Sequence, residues 1–378
     1  MIKSRLFTPG PVSVYPDALT ASLDANIHHR TAEFKAILSD VMSRLKWILG
    51  NPDQAYLFAS SGTGAMEAAV TNLFSSGEEV LVATCGKFGE RWVELAQRFG
   101  LRSVLLRYEY GNAVEPEGID AALKSNPRIR GVLLQACESS TGVQNDVDTI
   151  AAIVKKTDAI LVVDAVSALA TMPLSFESGI GVLVSGSQKA LMIPPGLAMI
   201  GLSARAWKRI EANPSPRYYF DLRAARKAWE QNGQTAYTPA TSLILSLRRS
   251  LETIQQWGLE RLIQLTENRA KATRIAMNAL SLEIFARRPA NALTAVSVSN
   301  QGAEKITAEM KRRFGVHLAG GQGELKDKIF RISHMGYIDH FDLLGVLSGL
   351  EIVLKQMGYS ITLGRSLEEF QKVYSEVA

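Results

Sequence analysis

The sequence predicts an α/β fold: a large domain on a mostly parallel seven-stranded sheet, followed by a smaller C-terminal α/β domain. Three observations carry this expectation. Short apolar runs alternate with helical patterns from about residue 55 to 200. That is the rhythm of strand–helix–strand units whose strands are covered on both faces. The pattern then changes to a polar and aromatic stretch over 203–235, a long helical run from about 241 to 280, and a second, shorter α/β alternation. Finally, a chain of 378 residues is too long for one ordinary core and suits two domains.

Taken in order, the first fifteen or so residues, which include Pro9-Gly10-Pro11, are expected to cross to the small domain. Strands are predicted at 55–58, 79–83, 102–106, 131–134, 160–163, 181–184 and 197–202. Helices are predicted between them at 64–74, 89–99, 118–124 and 147–155. In the small domain, strands are expected near 282–285, 295–298 and 329–332, and a helix near 341–357. The boundary is placed inside the long helix, so that the large domain comprises 16–255 and the small domain 256–378 together with 1–15.

Composition narrows the function class. Hydrophobic residues make up 47% and charged residues 21%, the balance of a soluble globular protein. The net charge is +5, and the basic residues are scattered in short clusters such as Lys311-Arg312-Arg313. This reads as a solvated surface, with no nucleic-acid partner, although an anionic substrate or cofactor would use a few of the cations. Cys85 and Cys137 lie far apart without a disulfide or zinc spacing and are expected to be buried free thiols in a reducing compartment. The N-terminus lacks the roughly 7–15-residue apolar stretch of a signal peptide. No run reaches the ~18 apolar residues of a membrane span. No membrane partner is expected, and a cytoplasmic location follows by elimination.

The most chemically specific stretch is Ser185-Gly186-Ser187-Gln188-Lys189-Ala190-Leu191, after the apolar run 180–184. A lone loop lysine is usually solvated. Lys189, however, is followed by apolar Leu191-Met192-Ile193-Pro194-Pro195, and desolvation lowers a lysine pKa toward that of a nucleophile. Asp164, 25 positions upstream, ends an otherwise apolar strand, where a carboxylate needs a cationic partner or a turn to cap. A lysine that can form an imine and an acid that keeps a pyridinium nitrogen protonated are the skeleton of a pyridoxal 5′-phosphate site.

Further candidates lie after other strands. Ser60-Ser61-Gly62-Thr63-Gly64 follows the first strand and opens a helix. The free amides there suit a phosphate, though the same residues would also serve as a simple N-cap. Phe88, in Gly86-Lys87-Phe88-Gly89, could stack on a flat ring or fill a turn. Ser139, in Glu138-Ser139-Ser140-Thr141-Gly142, could meet a ring hydroxyl or merely turn the chain. Arg331, in Ile329-Phe330-Arg331-Ile332-Ser333, could hold a carboxylate with its bidentate fork or belong to a structural ion pair.

Thr8-Pro9-Gly10-Pro11, Ser61-Gly62-Thr63-Gly64-Ala65-Met66-Glu67, Gly86–Gly89, Glu138–Gly142, Asp164, Ser185–Leu191 and Phe330-Arg331-Ile332 together resemble the class V aminotransferases of pyridoxal phosphate fold type I. The nearest likeness is to the alanine–glyoxylate and serine–pyruvate or serine–glyoxylate group, and it covers almost the whole chain. The resemblance implies that Ser61, Gly62, Thr63 and Gln188 hold the cofactor phosphate. It further implies that Phe88 stacks on the ring, Ser139 meets the ring hydroxyl, Asp164 the ring nitrogen and Lys189 the aldehyde carbon, with Gly10 and Arg331 binding substrate. Relatives often carry Trp or Tyr where Phe88 stands. Tyr237-Thr238-Pro239 is similar to a segment lent by a neighbouring subunit, with Thr238 a phosphate donor, so a homodimer with a shared active site is implied. Thr235 stands where the family often has a tyrosine.

The implied activity is ping-pong transfer of the amino group of a small amino acid, alanine or serine, to a 2-oxo acid, glyoxylate or pyruvate. A 2-aminoethylphosphonate–pyruvate transaminase and a non-enzymatic accessory subunit are the alternatives. A desulfurase would need a cysteine on a mobile loop, which neither Cys85 nor Cys137 has. After the shared opening, Asn26-Ile27-His28-His29-Arg30 departs from the phosphonate pattern, and His28, His29 and Arg30 are candidates for the substrate site or a dimer contact.

Overall fold

The computed structural model describes residues 2–24, 26–298 and 302–377. All seven strands predicted before residue 203 form one sheet. Its order is Gln54–Ala59, Leu197–Leu202, Val182–Gly186, Ile160–Asp164, Ile129–Gln135, Glu79–Thr84, Arg102–Arg107. Leu197–Leu202 runs antiparallel to both neighbours; the other strands run parallel to one another. The continuous hydrophobicity of these strands has a simple geometric cause. Successive side chains point to opposite faces, and both faces are covered. Leu81, Leu134, Val163 and Leu183 enter one buried cluster, whereas Val82, Leu133, Val162 and Val184 enter another on the opposite side.

The helices between the strands begin where turn chemistry allows. Gly62–Leu73 follows the first strand, Lys87–Arg98 the second, Pro116–Ser125 has proline in its first turn, and Val147–Val154 is capped by the Asp146 side chain on Thr149 N. The polar and aromatic stretch over 203–235 is more ordered than its composition suggests. It holds two helices, Ala204–Ala212 and Leu222–Asn232, whose few apolar residues face inward, as Ala206, Trp207, Ile210 and Leu222 do. The helical run expected from 241 to 280 is two helices, Thr241–Trp257 and Leu259–Ala279. Gly258, at φ +86° and ψ 127°, interrupts it because that backbone conformation cannot continue an α-helix. The break lies just beyond residue 255, where the sequence places the domain boundary.

The C-terminal part has a three-stranded antiparallel sheet, ordered Leu293–Ser297, Ile329–Ser333, Ala319–Gly320. The strand expected near 282–285 is reduced to a single bridge between Ile284 and Val296. Helices Ala303–Phe314 and His340–Gln356 pack here, burying Ile306, Met310, Leu343 and Leu350 with Phe330 in a third cluster. The N-terminal Arg5–Leu6 pairs in parallel with Val316–His317, and Phe7 is buried in that same cluster. Among the described residues no helix is long and apolar enough to cross a membrane.

Candidate active site

Five strand ends of the large sheet converge on one cavity of about 200 Å³. It lies at the carboxyl ends of the parallel strands, where open α/β sheets bind ligands. Its lining includes Gly10, Ser61, Gly62, Thr63, Phe88, Ser139, Asp164, Gln188 and Lys189. Nine of the residues singled out in the sequence thus share one cavity; Arg331 and Thr238 do not line it.

Lys189 sits in the connection between Val182–Gly186 and the antiparallel Leu197–Leu202. Ser187 staples that connection: its hydroxyl donates to Pro194 O at 2.8 Å and accepts from Leu197 N at 3.1 Å. Lys189 O accepts from Met192 N at 2.9 Å. The Lys189 amine donates to Pro9 O at 2.6 Å. Burial pushes its pKa down to about 8, against the opposing pull of Asp164, so a sizeable neutral fraction exists near neutrality. Gly10 lies against this side chain at φ +153°, and a Cβ there would stand 2.7 Å from Lys189 Cδ. Only glycine leaves the amine its room.

Asp164 both caps a turn and faces the cavity. Its Oδ1 accepts from Val166 N at 2.8 Å, while Oδ2 has no protein donor among the described residues. Burial, with a smaller push from Glu138, raises its pKa to about 6 against the Val166 hydrogen bond, Lys189 and Arg91, which work the other way. A cationic N–H placed against Asp164 would reverse that shift.

Ser61 is the N-cap of Gly62–Leu73, yet its side chain makes no capping bond. The first amides of that helix are therefore left for another acceptor. Gln188 Oε1 is buried without a hydrogen-bond partner, an acceptor that a donor on a ligand would satisfy. Phe88 lies in the first turn of the helix Lys87–Arg98, held by Glu138. That buried carboxylate accepts from Phe88 N at 3.0 Å and Gly89 N at 2.9 Å through Oε2. Through Oε1 it accepts from Ser140 N at 3.1 Å and Ser140 Oγ at 2.6 Å. Gly86 permits this approach, because a Cβ there would stand 2.6 Å from Glu138 Cδ. These groups fit a phosphorylated pyridine aldehyde: free amides and hydroxyls for the phosphate, an aromatic face, a ring-nitrogen acid and a partly neutral amine.

Arg331 departs from one of the two readings the sequence offers, the structural ion pair. It makes no ion pair among the described residues. Its Nε and Nη2 donate to Gly320 O at 3.1 and 2.7 Å, and its Nη1 donates to Ser139 O at 2.7 Å. It is 5% exposed, and burial lowers its pKa to about 10. Of the five N–H groups of a guanidinium these bonds use three, and the others remain for a carboxylate beside Ser139. Thr238 lines a different pocket of its own chain with Tyr219, Trp229 and Tyr237. Thr235 donates to Tyr237 O at 2.6 Å. The rings of His28 and His29 lie 4.8 Å apart, tilted by 39°, ahead of the helix Ala32–Ile48 and do not line the cavity.

The cavity also contains Met66, Arg91, Cys137, Val166 and Ser167. Arg91 could have been found from its position three residues after Phe88 on one helix face, and Val166 from its position two residues beyond Asp164. Cys137 is fully buried in its surroundings, and burial raises its thiol pKa, which keeps it protonated and a poor nucleophile.

Comparison with known proteins agrees with this architecture. The pattern of the family "Aminotransferase class-V" matches residues 14–333. A soluble hydrogenase 42 kDa subunit of Anabaena cylindrica is 39% identical, over 94% of this chain and 94% of its own length. The L-aspartate–glyoxylate aminotransferase of Paracoccus denitrificans is 32% identical over 99% and 97%. The serine–glyoxylate aminotransferase of Methylorubrum extorquens is 30% identical over 96% and 94%. Among solved structures, the ureidoglycine–glyoxylate aminotransferase of Bacillus subtilis superposes with a TM-score of 0.95 at 27% identity, covering 99% of both chains.

Proposed function

The chain belongs to the class V aminotransferases, and from that premise we propose that it carries the amino group of a small amino acid, alanine or serine, to glyoxylate or pyruvate through Lys189. The observation that carries this reading is the depressed lysine and the raised aspartate in one cavity beside a free helix N-terminus. Glyoxylate is the acceptor best supported, since it stands in the names of relatives whose other substrate differs: serine, aspartate and ureidoglycine.

Pyridoxal 5′-phosphate, when bound, supplies an aldehyde that holds the amino group and a protonated ring that takes up electrons from the α-carbon. The protein does the rest. Asp164 holds the ring-nitrogen proton at its carboxylate. Ser61, Gly62, Thr63 and Gln188 would seat the phosphate, Phe88 would cover a ring face, and Ser139 would meet the ring hydroxyl. Lys189 Nζ, as the partly neutral amine of the cavity, would remove the α-proton and return it. The remaining N–H groups of Arg331 orient the carboxylate of donor and acceptor in turn, which gives ping-pong kinetics. Thr238 of a second copy completes the phosphate seat in a homodimer. The two free cysteines favour a reducing, cytoplasmic setting.

Two other readings have support. The name of the Anabaena relative favours an accessory role, and the opening Thr8-Pro9-Gly10-Pro11 favours 2-aminoethylphosphonate as donor. Purified protein offered alanine, serine, aspartate or 2-aminoethylphosphonate, with glyoxylate or pyruvate, separates them. Transfer from alanine or serine supports the proposal. Transfer only from aspartate or the phosphonate overturns the donor, and bound cofactor without any transfer supports the accessory role.

A further inference from the structure

Arg91 is, among the described residues, the one basic side chain besides Lys189 that lines the cavity. It lies one turn beyond Phe88 on the helix Lys87–Arg98. Its guanidinium carbon stands 5.0 Å from the Phe88 ring centroid, and its Nη1 donates to Thr63 Oγ1 at 3.0 Å. Among the described residues it makes no ion pair. Thr63 is the second residue of Gly62–Leu73, so this contact puts a cation at the end of the cavity where the free amides are. The other side-chain donors there, those of Ser61, Thr63 and Gln188, are neutral.

The charge balance calls for that cation. A phosphate monoester carries about −1.5 to −2 near neutral pH, and Asp164 is a second acid in the same cavity. Neutral dipoles alone would leave an anion of that size uncompensated in a partly buried site. The cation–π contact with Phe88 steadies the guanidinium, whose planar fork can donate to Thr63 and to a phosphate oxygen together, as a lysine's point charge cannot. The field of Arg91 already reaches the cavity, lowering the proton affinity of both Asp164 and Lys189.

We propose that Arg91 is the phosphate-binding cation of this site: with Thr63 it neutralises the phosphate of the cofactor and so selects a phosphorylated pyridine over its unphosphorylated form. The proposal rests on the pyridoxal phosphate reading above. Its test is ligand truncation on cofactor-free protein, read as binding by visible absorbance and fluorescence quenching rather than as turnover. Arg91→Gln is expected to weaken pyridoxal 5′-phosphate by about 10–100-fold, the range for a lost charge-assisted hydrogen bond, and to leave pyridoxal unchanged. Inorganic phosphate should compete with the cofactor in the wild type and compete less in the variant. Arg91→Lys keeps the charge without the stack and should recover part of the loss; it also serves if the glutamine variant does not fold. Equal weakening of both ligands, no weakening, or an effect confined to the KM of a dicarboxylic donor overturns the proposal. A wild type that binds neither ligand overturns the cofactor reading itself, and the two failures are thereby distinct.

Discussion

The connection after Gly186 and the strand Ile329–Ser333 each carry a cation to the neighbourhood of Ser139, and the fold treats the two cations in opposite ways. Lys189 sits on a connection outside regular structure, makes one hydrogen bond with its amine, and has its pKa drawn down to about 8. Arg331 sits at the centre of a three-stranded sheet, donates three hydrogen bonds to backbone carbonyls, and stays charged with a pKa of about 10. The difference teaches what each can do. A cation with few partners, desolvated and mobile on four methylenes, can shed its proton and exchange bonds. A cation whose fork is already pinned keeps its charge and can only orient what approaches it.

The comparison breaks most completely at the lysine. Lys189→Ala is expected to lower turnover by about 10³-fold or more and to abolish the visible absorbance of lysine-bound cofactor. A purified variant that kept that band and full turnover would remove Lys189 from the chemistry. Glu138→Ala should have the next largest effect. It strips four donors of their shared acceptor, and loss of so buried a charged acceptor costs ~3–5 kcal/mol, read as the shift in a denaturant midpoint. An unchanged midpoint would mean that Phe88 and Ser139 are positioned by other contacts.

Arg331→Gln sharpens the other side. Its expected signature is a rise in KM for the amino donor of about 10–100-fold, with the cofactor band retained. A loss of kcat at constant KM would instead assign Arg331 to tethering Ser139 alone. The smallest effect is one of pH. Because burial lowers the lysine pKa to about 8, the reactive neutral amine grows as pH rises. The rate of cofactor capture should therefore climb about tenfold per unit below that value and level off above it, as stopped-flow absorbance would record. A midpoint near the ordinary lysine value of 10.5 would show that the site does not depress it.

The large sheet was legible because its strands are buried on both faces, which leaves unbroken apolar runs such as Ile160–Val163 bounded by turns. The small sheet was less so. At Leu282–Phe285 the residues read as a strand, but only Ile284 finds a bridging partner. The helices Ala204–Ala212 and Leu222–Asn232 were hidden by their charged outer faces. Gly258 stood in plain view within the long helical run, but a helix can tolerate one glycine, and only the backbone conformation shows that this one interrupts it.

The site divides in the same way. Lys189, Asp164, Phe88 and Ser61–Thr63 follow the ends of parallel strands, and in an open α/β sheet those ends meet at one edge. Chain order and apolar periodicity therefore determine that they come together, and their side chains determine which chemistry they can do. The acidity of Lys189, the four-donor seat of Glu138, the carbonyl tether of Arg331 and the place of Arg91 beside Thr63 were decided by tertiary structure alone. Each depends on desolvation or on a partner many residues away, and burial and distance are properties that a linear sequence does not contain.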